Sequence, residues 1–110
     1  MTQQAQDFFP IRVSSGTNVE KLSVSIAEEL RKNPKQRLRI QAIGAGAINQ
    51  TMKGCAKAAE KLARNALVLY LKPGFDTVRV PMERPEDHVE GTPVGELKDI
   101  TAMIFIVHVE

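Results

Sequence analysis

Lys53, Lys57, Lys61 and Arg64 recur at three- and four-residue steps, a spacing that on a helix gathers side chains along one stripe. A cationic stripe of this kind can follow a phosphate backbone. Glu60 interrupts it, and the same pattern also describes an ordinary solvated helix face. Upstream, Gly44-Ala45-Gly46 stands where a strand passes into a helix. A helix start offers unpaired N–H groups and partial positive charge to a phosphate, and Asn49 and Gln50 can add side-chain hydrogen bonds. Glycine equally suits a plain tight turn. No Gly-Lys-Ser/Thr follows, so this is not the loop of nucleoside triphosphatases, and the dinucleotide fingerprint is poorly matched. Arg39 and Gln41 alternate with Leu38 and Ile40 and therefore face the other side of a strand, where Arg12 joins them. Ligand, partner subunit or solvent can meet them there, although base stacking is disfavoured by a content of five aromatic residues and no tryptophan. A further basic group, Arg31, Lys32, Lys35, Arg37 and Arg39, lies where the first helix meets the second strand, and solubility alone explains most of it.

Groups suited to catalysis are sparse. His88 and His108 have no Cys or His at metal-ligand spacing. Asp87 and Glu90 flank His88 in a polar stretch and read as loop solvation rather than a general base. Cys55 falls on a packed helix side and reads as inert core. No enzyme, cofactor or metal is expected. A lone cysteine excludes an intramolecular disulfide and suits a reducing compartment, the cytoplasm. Met1 to Asp7 is polar and no apolar run reaches the roughly 18 residues of a membrane span, so neither export nor insertion is expected. The formal charge of +2 is too small to argue for a nucleic-acid partner by itself. A chain of 110 residues, 43% hydrophobic and 25% charged, supports one globular core.

The elements that must position these residues follow from periodicity. Residues 1–7 read as a frayed tail ahead of a single domain over 8–110. Ile11 to Val13 is a short strand, closed by the turn formers Ser14 to Asn18. Thr17 and Glu20 have capping-box spacing, and Val19, Leu22, Ile26 and Leu30 then mark an amphipathic helix ended by Asn33-Pro34. Leu38, Ile40 and Ala42 alternate with Arg39, Gln41 and Ile43 as a strand with one face on the core. A second helix is expected from about Ala47 to Asn65, packed through Ile48, Met52, Cys55, Ala56, Ala59, Leu62 and Ala63, with Gly54 admitting a close neighbour. The third strand, Ala66 to Leu71, continues past Pro73-Gly74 through a bulge or bend to Phe75–Val80. A long hairpin loop spans 82–98, and Asp99 to Val109, apolar on both faces, reads as a central strand or one covered by a second subunit. The resulting β-α-β-α-β-β order predicts an α/β (α+β) sandwich, two helices on one face of a four-stranded mixed sheet.

The run Ile40-Gln41-Ala42-Ile43-Gly44-Ala45-Gly46-Ala47-Ile48-Asn49-Gln50 resembles the signature of the stage V sporulation protein S family, where a strand ends in a Gly-Ala-Gly turn before an alanine-rich helix. Val13-Ser14-Ser15 and the apolar Ala102 to Val109 extend the resemblance over about residues 11 to 110. That family is in turn similar to Alba, a dimeric chromatin protein that binds DNA and RNA. The resemblance implies an Alba-like fold, a homo-oligomer (dimer or tetramer) and nucleic acid, DNA or RNA, as partner. Where Alba has paired lysines before the first helix, this chain has Ser14-Ser15-Gly16-Thr17. Phosphate contacts are then expected from the loops Ser14 to Gly16 and Gly44 to Gln50 together with Lys53, Lys57, Lys61 and Arg64, with Arg39 and Gln41 on the sheet. The rival expectation is a developmental regulator that docks proteins through the acidic stretch Glu83 to Glu96. A third is a small-ligand-binding protein using the Gly44 turn.

Overall fold

Leu38, Ile40 and Ala42 are fully buried while Arg39 and Gln41 remain half-buried, as the sequence alternation predicts. The computed structural model describes residues 8–81 and 97–110. The expected tail over 1–7, the part of the hairpin loop over 82–96, and with it His88, Asp87, Glu90 and the acidic stretch, lie outside the described residues. The elements run β1 (Phe8–Val13), α1 (Val19–Lys32), β2 (Arg37–Ala42), α2 (Ala45–Ala63), β3 (Leu69–Pro81) and β4 (Leu97–Val109). They form one four-stranded sheet in the order β1-β2-β4-β3. β1 and β2 are parallel, and β4 is antiparallel to both of its neighbours. β4 is therefore central, in keeping with its two apolar faces.

The core joins Ile26, Ala27 and Leu30 of α1 and Ala47, Cys55, Ala58 and Leu62 of α2 to Leu38, Ile40, Phe105 and Val107 of the sheet. Both helices thus cover one sheet face. Even-numbered residues of β4, such as Ile104, Ile106 and His108, point to the opposite face together with Arg39 and Gln41.

Four local expectations are corrected. The cap of α1 is Asn18, whose side-chain oxygen accepts from the Lys21 N–H at 2.9 Å. Thr17 is occupied elsewhere, its hydroxyl accepting from the Ser14 N–H at 2.8 Å. Asparagine is at least as good a cap as threonine, so the boundary moves by one residue.

The buried side of α2 is Ala47, Thr51, Gly54, Cys55, Ala58 and Leu62. Of the expected stripe, Cys55 and Leu62 are buried, Ile48 and Ala59 are half-buried, and Met52, Ala56 and Ala63 are exposed. The reason is steric. Leu22 of α1 fills the space at Gly54, where an added Cβ would lie 2.5 Å from its Cδ2. Thr51 can be buried beside it because its hydroxyl donates to the Ala47 carbonyl at 2.9 Å.

No bulge interrupts β3. Its pairing with β4 runs in one register from Leu69↔Val109 through Pro73↔Phe105 to Pro81↔Leu97. β3 is an edge strand, which tolerates proline because alternate N–H groups face away from the sheet. The strand starts at Leu69 rather than Ala66, since Ala66 adopts a left-handed φ of 61° and closes α2. There the Leu67 N–H returns to the Leu62 carbonyl at 3.1 Å and the Ala66 N–H to that of Ala63 at 3.0 Å.

Candidate nucleic-acid interface

Two glycines bring the expected phosphate loops together. Gly44 adopts a φ of 91°, the left-handed region open to glycine at little cost. Gly46 leaves room for Ser15, since a Cβ there would approach the Ser15 Cβ to 2.7 Å. The Gln50 amide then donates to the Thr17 carbonyl at 2.8 Å and ties the two loops from the other side. Ser14 supports its own turn, accepting through Oγ from the Gly16 N–H at 3.2 Å. The first turn of α2 holds no acidic residue and no side-chain cap. Among the described residues no side chain caps its amides where Ser15 lies against Gly46, and Asn49 is exposed on the next turn.

Along α2 the four cations divide. Lys61 Nζ lies 2.9 Å from Glu20 Oε2, and Lys57 Nζ lies 3.5 Å from Glu20 Oε1. Glu20 belongs to the first turn of α1, so one carboxylate bridges the helices through two ammonium groups. The hydrogen bond and charge of Lys61, then those of Lys57, hold the Glu20 carboxyl below its ordinary value near 4.5. Lys53 and Arg64 have no ion pair among the described residues and remain exposed. Arg31 of α1 serves the helix pair as well, donating through Nε to the Asn65 side-chain oxygen at 2.8 Å and through Nη2 to the Lys61 carbonyl at 3.2 Å.

A family model described as Stage V sporulation protein S (SpoVS) matches residues 10–109. The chain belongs to that family. No curated protein matches the sequence. Membership of the stage V sporulation protein S family supports a role as a sporulation-stage regulator.

In this family member the remaining expected residues sit apart from the α2 site. Arg39 and Gln41 occupy the sheet face away from the helices. Arg39 Nη2 is 2.7 Å from Asp76 Oδ2, a bridge that reaches from β2 across β4 to β3. Cys55 is buried, and burial pushes its thiol up to about 11, which leaves it protonated and inert at neutral pH. Sequence reasoning missed Glu20 as the partner of Lys57 and Lys61, because nothing in a linear pattern joins residues that meet only after the helices pack. It also missed Tyr70 and His108, whose rings stack on the open sheet face with centroids 5.4 Å apart and planes 17° from parallel. The signal available was their placement on alternating strands of like parity, visible once β3 and β4 are set in register. No helix among the described residues is long and apolar enough to cross a membrane.

Proposed function

We propose that this chain is a nucleic-acid-binding regulatory protein of the stage V sporulation protein S type, contacting phosphates with weak sequence selectivity and catalysing no reaction. The observation that carries this reading is the continuity of the α2 surface. Ser15 lies against Gly46 at a helix start whose first turn holds no acidic residue, and Asn49, Lys53 and Arg64 follow along one exposed side that Glu60 interrupts. A helix start and a row of cations act on the same ligand charge. Lys57 and Lys61 contribute less than their number suggests, because Glu20 offsets part of their charge. Contacts made this way read phosphates rather than bases, so affinity falls steeply with salt.

The protein acts as a homo-oligomer, dimer or tetramer, in the cytoplasm. In support, α2 leaves Met52, Ala56 and Ala63 exposed, with Ile48 and Ala59 half-buried beside them. An apolar helix side of small residues suits the close approach of a second copy. A lone, buried cysteine fits a reducing compartment.

Anisotropy titrations against single- and double-stranded DNA and RNA test the reading, with light scattering on the same samples. Binding that weakens with salt in a particle larger than one chain is the expected result. Absence of binding to all four at low salt overturns it.

A further inference from the structure

The sheet face away from the helices carries a chemistry that α2 lacks. All five aromatic residues of the chain lie in strands. Tyr70 of β3 is 45% exposed and stacks on His108 of β4, which is held in turn by Glu110, Nε2 to Oε2 at 3.2 Å. A ring fixed by a neighbour loses little freedom when a planar group stacks on it. In the next row β4 places Ile106 between Arg39 and Lys72. Arg37 shares this face with Arg39, two residues further along β2. Arg37 and Lys72 carry no ion pair among the described residues, while Arg39 is held by Asp76. Beside them opens a shallow cavity of about 220 Å³ lined by Arg39, Lys72, Asp76, Ile104 and Ile106.

An apolar strip of buried Ile104 and half-buried Ile106, an exposed ring and flanking cations on one sheet face match what unpaired bases and their phosphates need. Aromatic faces stack bases without regard to sequence, and Lys and Arg neutralise the backbone. A duplex hides its base faces and gains nothing from the ring. A second copy of the chain fits poorly, because a two-fold contact through this face brings two clusters of Arg37, Arg39 and Lys72 together, with Asp76 already engaged by Arg39.

We infer that this open sheet face binds single-stranded nucleic acid, with a base stacked on the Tyr70–His108 pair and phosphates at Arg37 and Lys72. The inference rests on the nucleic-acid reading above and assigns it a second surface and a strand state. Tyr70 is the single tyrosine of a chain without tryptophan, so intrinsic emission, corrected for oligonucleotide absorbance, reports on this one ring.

The experiment titrates short single-stranded DNA and RNA homopolymers and a duplex into wild type, Tyr70→Phe, Tyr70→Ala, Lys72→Glu and the pair Lys53→Glu/Arg64→Glu. Tyr70 emission falls on single-strand binding and not on duplex binding. Tyr70→Ala weakens single-strand affinity by about five- to a hundredfold, Lys72→Glu weakens it too, and Tyr70→Phe retains it. The DNA and RNA arms show which backbone is preferred. If wild type binds with no change in emission and Lys72→Glu and Tyr70→Ala bind like wild type, the inference is overturned while the reading survives through Lys53 and Arg64. If wild type binds none of the probes at low salt, both fall. Should circular dichroism show Tyr70→Ala unfolded, the wild-type emission and Lys72→Glu decide the matter.

Discussion

On the helix layer Lys57 and Lys61 close on Glu20 and Arg31 closes on the end of α2, whereas on the open sheet face Arg37 and Lys72 have no such partner among the described residues. Both surfaces are basic when residues are counted. Only the geometry shows that much of the helix charge holds the two helices in place. The sheet face differs again in having an exposed aromatic ring, so its cations can act on a strand whose bases are stacked at the same time. A surface is therefore judged by which of its charges remain unmatched and by what stands beside them.

The largest effect is expected where the helix layer is tightest. Gly54→Val drives a branched side chain into Leu22, whose Cδ2 lies 2.5 Å from the position of an added Cβ. Leu22 is buried, so overpacking costs about 3 kcal/mol, roughly a hundredfold in the folding equilibrium. Urea unfolding measures it. Ala56→Val, on the exposed side of the same helix, is close to neutral in a single protomer. Adding Leu22→Ala to Gly54→Val costs less than the sum of the two single changes, because each relieves the other. If instead Ala56→Val proved the costlier of the two, the packed side of α2 would be the one its sequence suggests and the lysines would point elsewhere.

Next comes the division of cations along α2. Lys53→Gln/Arg64→Gln weakens nucleic-acid binding on the order of tenfold and flattens the salt dependence by roughly 0.9 for each lost duplex contact. Lys57→Gln/Lys61→Gln has a smaller effect on binding, since these side chains are already engaged by Glu20. Titration of both pairs over a salt series separates them. Equal losses would mean that the Glu20 bridge opens when ligand arrives.

Much of the fold was legible because its signals are strong and local. The alternation in β2, the Leu22, Ile26 and Leu30 stripe of α1 and the two-sided apolarity of β4 each follow from side chains with large transfer energies. The rotation of α2 was not, because alanine, glycine and threonine carry little hydrophobic signal and Met52 outweighs them in a pattern while lying 39% exposed. The candidate site was legible in part. The turn at Gly44 is one that glycine marks in the sequence, whereas the approach of Ser15 to Gly46 joins two separate loops and carries no linear signal. Glu20 lies 41 residues from Lys61, and their bond exists only through helix packing. The aromatic stack depends likewise on the β3–β4 register, which the sequence leaves open across Pro73.

The smallest expected effect is the sharpest test of whether Glu20 sets the contrast between the two surfaces. Glu20→Gln keeps the size of the side chain and removes its charge, which leaves Lys57 and Lys61 free to meet phosphates. Affinity for duplex then rises a fewfold, and the salt dependence steepens by up to about 0.9 for each freed lysine. Stability moves the other way. The folded Glu20 carboxyl titrates below its ordinary value, so its contribution is present above the unfolded value and is lost as pH falls through the folded one. Unfolding midpoints of wild type and Glu20→Gln should therefore differ at neutral pH and converge once the solution is well below pH 4.5. The gap is small because the pair is solvent-exposed and screened. A midpoint difference that persists in acid would assign Glu20 a packing role in place of an electrostatic one. An unchanged affinity would mean that Lys57 and Lys61 are not where phosphates bind, and would leave recognition to Lys53, Arg64 and the ring and cations of the sheet.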